Sequence, residues 1–207
     1  INPKSAIINL GGVANFSLQN KKKLISSDIG PANAITDDLM FYFFKKNFDR
    51  NGNIASKGTK NIKIFELYKK NSFFKKTFPK SLDRNNFHYL FKKLKKLKPH
   101  DALNTSSNFT IHSIIKLIDH KICENINEFI LTGGGRKNGY ILNSLRNLRK
   151  DIKFSIIDDY KFNGDLLEAQ MFAYIGVRSI KKLIISSKST TGVKKSISGG
   201  KLYKFNY

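Results

Sequence analysis

The sequence predicts an α/β fold in which helices flank one mixed β-sheet. Three short segments near the N-terminus have strand patterns and follow one another directly, a helix pattern comes next, and the second half alternates helix and strand patterns. Strands joined by short turns form an antiparallel meander. A meander that leads into alternating helices and strands implies a mixed sheet covered by helices.

The meander is predicted at residues 6–11, 14–19 and 23–28. The first segment is an apolar run that ends at Gly11 and Gly12, the second alternates apolar and polar residues, and Asn20 with the lysines after it marks the turn to the third. A helix is predicted from Asn33 to about Phe48, because apolar residues recur there with helical spacing.

The remainder of the chain begins with short amphipathic pieces rich in Lys and Phe. They predict a helical insertion at about 60–100, with the KKLKKLK run at 92–98 as a solvated helix face. The elements predicted after it are helix 102–122, strand 128–132, helix 138–150, strand 153–158, helix 165–182 and a candidate last strand in GGKLYKF at 199–205. This order is the ribonuclease H-like arrangement, which also forms each half of the actin–hexokinase–Hsp70 kinase architecture. Because no internal repeat is visible, at most one such half is present.

The composition favours a folded domain over a disordered chain. The 207 residues are 40% hydrophobic and can bury a core, and no apolar run approaches the roughly 18 residues of a membrane span. The single cysteine, Cys123, excludes an internal disulfide, and the four histidines fall in no metal-ligand spacing. The net charge of +23 comes mostly from lysine, although arginine is the usual residue for reading nucleic acids. A bias toward AT-rich codons therefore explains the charge better than a specific nucleic-acid function.

Two glycine segments are candidate nucleotide sites. Gly11 and Gly12 lie between two strands, where a nest of backbone amides suits phosphate, although a tight hairpin that needs positive φ is an alternative explanation. The second segment, Gly133–Gly135, follows a buried strand, and backbone without side chains can lie against a nucleobase or ribose. It is not a Walker loop, because no Gly-Lys-Ser/Thr follows.

Two carboxylates are candidate catalytic groups. Asp28 lies at the end of a predicted strand, and we expect Gly30 to leave space beside it. A helix starts close by, so Asp28 suits a general base or a metal ligand, or else a capping residue. Glu168 follows Asp165 by three residues; it either completes a capping box or points into the cleft. We expect Asp28 and both glycine segments to converge, since all lie at strand ends.

These segments together resemble the anhydro-N-acetylmuramic acid kinase family. In the segment SDIGPANAITDDLM, Ala32 stands where the family usually has Gly. In the segment PKSLDRNNF, Leu82, Asp83 and Asn85 depart from the family pattern. The segments keep the family order from about residue 7 to 192: INLGGVANFS, SDIGPANAITDDLM, FDRNGNIASKG, PKSLDRNNF, DALNTSSNFTIHSI, LTGGGRKNGYI, GDLLEAQMFAYIGVR and STTG.

The resemblance implies a cytoplasmic sugar kinase of cell-wall recycling. Such an enzyme uses ATP, Mg²⁺ and water to convert 1,6-anhydro-N-acetylmuramic acid to N-acetylmuramate 6-phosphate. The residues to which the resemblance gives roles are the catalytic Asp28 and Glu168, with Asp28 also a metal ligand; the ATP-binding Gly11, Gly12, Asn15, Gly133, Gly134, Gly135 and Asn138; and the sugar-binding Asn33 and Asp37.

The resemblance also implies an incomplete cleft. The superfamily places ATP between two halves, and the first half, with its own glycine-rich hairpin, is not found in these 207 residues. We therefore expect residues 1–207 to be the second domain of the kinase, to need an upstream half for activity, and to be able to form a homodimer. Two alternatives are a ribonuclease H-like nucleic-acid module, which would want a carboxylate where Asn9 stands, and a degenerate non-catalytic fragment.

Overall fold

A five-stranded mixed sheet forms the centre of the protein, whose computed structural model describes residues 2–20 and 23–203. The strands are β1 (Ser5–Leu10), β2 (Val13–Asn20), β3 (Lys23–Pro31), β4 (Glu128–Thr132) and β5 (Lys153–Ile156). Their spatial order is β3-β2-β1-β4-β5, with β1, β2 and β3 antiparallel and β4 and β5 added in parallel beyond β1. The predicted ribonuclease H-like sheet is confirmed.

Seven α-helices accompany this sheet within the described residues. They are α1 (Asn33–Phe44), α2 (Ile62–Lys69), α3 (His88–Leu94), α4 (Pro99–Ile118), α5 (Gly139–Leu148), α6 (Leu167–Ile180) and α7 (Lys188–Thr191). The first helix ends four residues before the predicted Phe48, because Lys45 adopts a left-handed conformation with φ of 56°. The long helix begins earlier than predicted, with Pro99 in its first turn, where the missing amide hydrogen costs nothing.

Two predicted strand segments differ in the structure. The fifth strand ends at Ile156 rather than at 158, because Ile157–Tyr160 forms a 3-10 turn. No strand is assigned over 199–203 of the predicted last strand, and residues 204 and 205 lie outside the described part of the chain. Among residues 2–20 and 23–203, no helix has the length and apolar character needed to cross a membrane.

The apolar residues form two cores. In the first, α4 and α5 pack on one face of the sheet and bury Ile8, Phe16 and Leu131 against Ile114 and Leu145. In the second, α1, α2, α3 and α4 enclose an aromatic cluster. Its centre is Tyr68, whose ring stacks on Phe109 at 4.3 Å between centroids and whose hydroxyl donates to the Phe109 carbonyl. Short amphipathic helices in the predicted insertion therefore lie beside the sheet and leave its other face open.

Helix α6 belongs to neither core. None of its residues is buried, and Phe172, Tyr174 and Ile180 are each more than 60% exposed. A helix that is apolar on most sides normally packs against other protein. Among the described residues, nothing provides that packing surface.

Candidate functional site

A row of polar side chains crosses the open face of the sheet. Asp28 on β3 pairs with Asn15 on β2, Asn15 pairs with Asn9 on β1, and Asn9 pairs with Thr132 on β4. Residues paired directly across strands project from the same face, whereas their sequence neighbours project from the opposite one. The helix-covered face is therefore apolar and the open face is polar at this level of the sheet.

A β-bulge in β3 places Asp28 in this row. Ala14 pairs with Gly30 but the next residue, Asn15, pairs with Asp28, so Ile29 is the extra residue. Because of the bulge, Ile29 and Gly30 both lie toward α4. A Cβ on Gly30 would come within 1.9 Å of the Ser113 oxygen. The prediction that Gly30 leaves space beside Asp28 is thus wrong, since that space lets α4 approach.

Two neighbouring depressions contain most of the predicted site residues. The sheet-face depression has a volume of about 900 Å³, and its lining includes Gly11, Gly12, Asn15, Gly133, Gly134 and Glu168. The helix-side depression has a volume of about 680 Å³, and its lining includes Asn33, Asp37, Gly134, Gly135 and Asn138. Both volumes are large enough for a small-molecule ligand. Gly134 is common to the two.

Asp28 lines neither depression. Its pairing partners place it three strands from Thr132, or about 14 Å at the usual strand spacing. Asp28 therefore lies on the same face of the sheet as the sheet-face depression, next to its lining residue Asn15, but outside both depressions. Its assignments as general base and metal ligand stay predictions.

The three consecutive glycines have different structural reasons. Gly133 has φ of +71°, and a Cβ there would lie 2.5 Å from the Asn9 side-chain oxygen. A Cβ on Gly135 would lie 2.6 Å from that of Leu10. By contrast, a Cβ on Gly134 would meet nothing within 4 Å. Packing thus explains the first and third glycines, while the second leaves open space where the depressions meet.

The hairpin at Gly11 and Gly12 is tied to the start of α1. Neither glycine has a positive φ, so the explanation that the turn needs one is wrong. The Gly11 carbonyl accepts from the Asn33 amide at 2.9 Å, and the Gly12 carbonyl accepts from the amides of Ala32 and Ala34. These bonds satisfy amides that a helix start normally leaves unpaired, so they are not available to a ligand.

Asn33 and Asn138 also have structural contacts. The Asn33 amide group donates to the Leu10 carbonyl at 2.9 Å and locks α1 to the hairpin. Asn138 caps α5, where its side-chain oxygen accepts from the Ile141 amide. Their predicted ligand contacts stay predictions beside these structural roles.

Two aspartates have pKa values raised by burial. The pKa of Asp28 is raised because the carboxylate is half-buried, although a 2.6 Å hydrogen bond from the Leu82 amide opposes the shift. Burial raises the pKa of Asp37 to about 7, with a further contribution from Asp38 and an opposing one from Arg84. A carboxylate that titrates near neutral pH suits proton transfer, so Asp37 is a second candidate general base that the sequence did not distinguish.

Arg136 is a buried residue that the sequence analysis did not single out. Its guanidinium donates to Asp158 at 2.6 Å, to Asp165 at 2.9 Å and to the Gly133 carbonyl at 3.0 Å. A Cβ on Gly164 would lie 2.3 Å from the guanidinium, so the chain closes tightly over it. Arg136 therefore fixes the glycine turn to the segment before α6. The only sequence signal was its position directly after the glycines.

The predicted capping box at Asp165 and Glu168 is wrong. The N-cap of α6 is Leu166, with no side-chain hydrogen bond, and the Asp165 carboxylate pairs with Arg136 and Lys137 instead. Glu168 lies in the first turn of α6 and lines the sheet-face depression. Of the two explanations for Glu168, the structure favours the one in which it faces the cleft.

No metal centre is formed by the protein alone in the part of the chain that the structure describes. Across 2–20 and 23–203 no three Asp, Glu, His or Cys residues come together as a metal site. Magnesium in phosphoryl transfer often has one or two carboxylates and completes its shell with phosphates and water. In the sheet-face depression, Asp165 is already paired with Arg136 and Lys137, which leaves Glu168 as the carboxylate nearest that role.

Glycine-lined depressions beside a polar sheet face are the arrangement in which α/β domains commonly bind ligands. The family model for anhydro-N-acetylmuramic acid kinase matches residues 2–205, and the chain belongs to that family. The Pelagibacter ubique anhydro-N-acetylmuramic acid kinase is 35% identical over all of this chain and 56% of its own length. The Roseobacter denitrificans enzyme of the same name is 33% identical over 95% of this chain and 54% of its own length.

The chain thus spans about half the length of these curated relatives. Among solved structures, the activator of the 2-hydroxyisocaproyl-CoA dehydratase from Clostridium difficile with bound ADPNP is 11% identical. That match covers 75% of this chain and 55% of the activator, with a TM-score of 0.46.

Proposed function

We propose that this chain forms the nucleotide-side half of an anhydro-N-acetylmuramic acid kinase. The complete reaction would consume ATP, water and 1,6-anhydro-N-acetylmuramic acid and release ADP and N-acetylmuramate 6-phosphate. Membership of the family supports this activity. The observation that supports the nucleotide site most directly is Gly134, because its missing side chain leaves open space shared by both depressions and no packing contact explains it.

The glycine backbone that lines the two depressions fits a nucleotide that extends from the sheet-face depression into the adjoining part of the helix-side one. Gly11 and Gly12 would lie along the phosphates, and Gly133–Gly135 along the adenosine, with Asn15 and Asn138 at the two ends. When bound, ATP supplies the phosphoryl group. Glu168 would shape the cleft beside the phosphates, and it is the carboxylate we favour for any contact with Mg²⁺.

The proton transfer in this proposal needs one aspartate to accept a proton from the attacking water. Asp28 suits the role because burial raises its pKa and the Leu82 amide holds one carboxylate oxygen, leaving the other for a water. Asp37 is the alternative, since its pKa of about 7 is closer to neutral and it lines the helix-side depression. The part of the helix-side depression around Asp37 and Asn33 would hold the sugar.

The cleft in this proposal is completed by protein outside the 207 residues. The apolar residues of α6 are exposed, and the relatives are almost twice as long as the match. We propose that the counterpart of the unmatched portion covers α6 and forms the second wall, which would position the substrates and exclude water. The proposal further includes a cytoplasmic location, assembly as a homodimer, and no specific nucleic-acid partner.

Titration with a non-hydrolysable ATP analogue tests the nucleotide site. Gly134→Val should lower the affinity of the chain by about 5- to 150-fold, because side-chain overpacking costs about 1–3 kcal/mol. The control is Gly176→Ala on α6, where a Cβ also meets nothing within 4 Å but lies outside both depressions. Equal affinities for the two variants would contradict the assignment.

Turnover is tested separately. We expect phosphorylation of the anhydro sugar only when the chain is mixed with the portion of the Pelagibacter ubique relative that it does not match. Robust turnover by the chain alone would contradict the need for a second half, without affecting the nucleotide titration.

A further inference from the structure

A third cavity, lined by cationic side chains, lies on the helix-covered side of the sheet. It has a volume of about 260 Å³ and lies between α4 and the segment 74–80 that crosses the edge of β3. Its lining includes Lys75, Lys76, Lys80, Lys116 and His120, together with Phe74 and Phe78. It shares no lining residue with the two depressions at the glycines. We call it the cationic cavity.

The charge in the cationic cavity is not compensated by the residues around it. No Asp or Glu lines it, and none of its four lysines belongs to an ion pair among the described residues. The lysines instead repel one another. Burial together with Lys116 and Lys76 lowers the pKa of Lys80 to about 8. A multivalent anion would remove this repulsion.

The backbone of Lys80 is fixed by hydrogen bonds, and its ammonium group keeps donors that are free for a ligand. Its amide donates to the Ser27 hydroxyl at 2.8 Å, and its carbonyl accepts from the Asp28 amide at 3.0 Å. The ammonium group lies over the rings of Phe73 and Phe78 and donates one bond to the Phe73 carbonyl at 3.2 Å. An ammonium group has three donors, so two remain for a ligand.

His120 adds a neutral donor to the same cavity. Its Nδ1 accepts a hydrogen bond from the Ile122 amide at 3.2 Å, so in the neutral ring the proton lies on Nε2. Burial and the neighbours Lys121, Lys80 and Lys116 lower its pKa, which keeps the ring neutral at pH 7. Lys116 lies on α4 with its ammonium 5.9 Å from the centre of the Phe74 ring. Donors from two elements, α4 and the 74–80 segment, therefore converge.

We propose that the cationic cavity binds a phosphate group, either as inorganic phosphate or as a small phosphate monoester. A phosphate dianion offers acceptor oxygens in several directions, which matches lysines and a histidine donor arranged around a small space. A volume of about 260 Å³ is below the usual range for drug-sized ligands, so it suits a small anion better than a nucleotide. This site is separate from the proposed nucleotide site and does not depend on it.

The test is binding of inorganic phosphate by calorimetry at constant ionic strength, with chloride as the replacement salt. Lys80→Met and Lys116→Met should each weaken binding about tenfold or more, because each removes a charge-assisted hydrogen bond. Lys93→Met on α3 is the matched control, since it removes the same charge from an exposed position outside the cavity. It should change affinity less than about twofold, as expected for a screened surface charge.

Further measurements distinguish free phosphate from a phosphate monoester, and either of them from general attraction to polyanions. Tighter binding of glucose 6-phosphate than of phosphate, with no binding of glucose, would identify a monoester site; the reverse order would identify a free phosphate site. An equal loss in Lys93→Met, or binding only of long single-stranded oligonucleotides, would overturn the proposal in favour of general attraction to polyanions. Circular dichroism of each variant checks the fold. The affinity for the ATP analogue should stay unchanged in Lys80→Met.

Discussion

Replacing Arg136 by methionine tests how the glycine turn is held in place. The arginine side chain is only 2% exposed, and it joins Asp158, Asp165 and the Gly133 carbonyl. Methionine keeps much of the buried stem but removes every hydrogen bond of the guanidinium. The Gly133 carbonyl and the tight packing at Gly164 would then lose their partner.

The expected loss of stability for Arg136→Met is about 2–3 kcal/mol. Breaking a buried ion pair from one side typically costs about 3–5 kcal/mol, because a charge is left buried without a partner. Here the aspartates left behind are 39% and 61% exposed and can be rehydrated, so the cost falls below that range. For a chain of this length the melting temperature should drop by about 4–12 °C in thermal unfolding.

Arg149→Met is the control. Arg149 also binds two aspartates, Asp119 and Asp151, but its side chain is 24% exposed. Exposed pairs contribute little, so the melting temperature should change by no more than about 4 °C. Equal shifts for the two variants would refute the reasoning that burial makes the difference.

The pH dependence of the stability loss in Arg136→Met tests whether the ion pairs of Arg136 cause that loss. The hydrogen bond from Arg136 lowers the pKa of Asp158 in the folded state, and Lys137 together with Arg136 does so for Asp165. A carboxylate whose folded pKa is depressed stabilises the protein above its unfolded pKa of about 3.9 and loses that effect as the pH falls through the folded value. The difference in free energy of unfolding between the native protein and Arg136→Met should therefore be largest above about pH 5 and should become smaller below about pH 4. A difference in free energy of unfolding that is unchanged at about pH 3 would mean that lost packing, and not the ion pairs, causes the loss of stability.

Three other predictions concern the sheet edge, the catalytic base and the cationic cavity. Gly30→Ala should lower the free energy of unfolding by about 1–3 kcal/mol because of the collision with Ser113, whereas Gly134→Ala should not; equal melting temperatures would contradict this. Asp28→Asn should reduce turnover of the completed enzyme by about 10²- to 10⁴-fold. The free energy of unfolding should change little, since the amide oxygen can still accept from the Leu82 amide. Turnover within about threefold of the native rate would contradict Asp28 as the base and make Asp37→Asn the next variant to measure. Affinity for a phosphate monoester, which is a dianion above about pH 7, should fall as the pH rises through about 8. The reason is that Lys80 then loses its proton, in a cavity whose other charged or titratable lining residues are Lys75, Lys76, Lys116 and His120. A calorimetric affinity that does not change with pH would count against Lys80 as a ligand-binding residue.

Local patterns predicted the sheet and most helices. Alternation in β2 and the apolar runs of β1 and β4 are properties of adjacent residues, so they are visible without tertiary structure. The glycine segments and Glu168 were also found from sequence, and the structure places them in two depressions that share Gly134. Helix ends were less predictable, because a single left-handed residue such as Lys45 ends α1.

The tertiary structure decided the orientation of Asp28, the role of Arg136 and the existence of the cationic cavity. The bulge at Ile29 is defined by the pairing of β3 with β2 and by its packing against α4, and no spacing within the strand indicates it. Arg136 meets aspartates 22 and 29 residues away, and Lys80 meets Lys116 only because the 74–80 segment crosses the sheet edge. The sequence alone determined which elements form and which family they belong to, since those depend on residues close together in the chain. The surroundings of each charge came from long-range packing, which fixes how burial and neighbouring charges act on it.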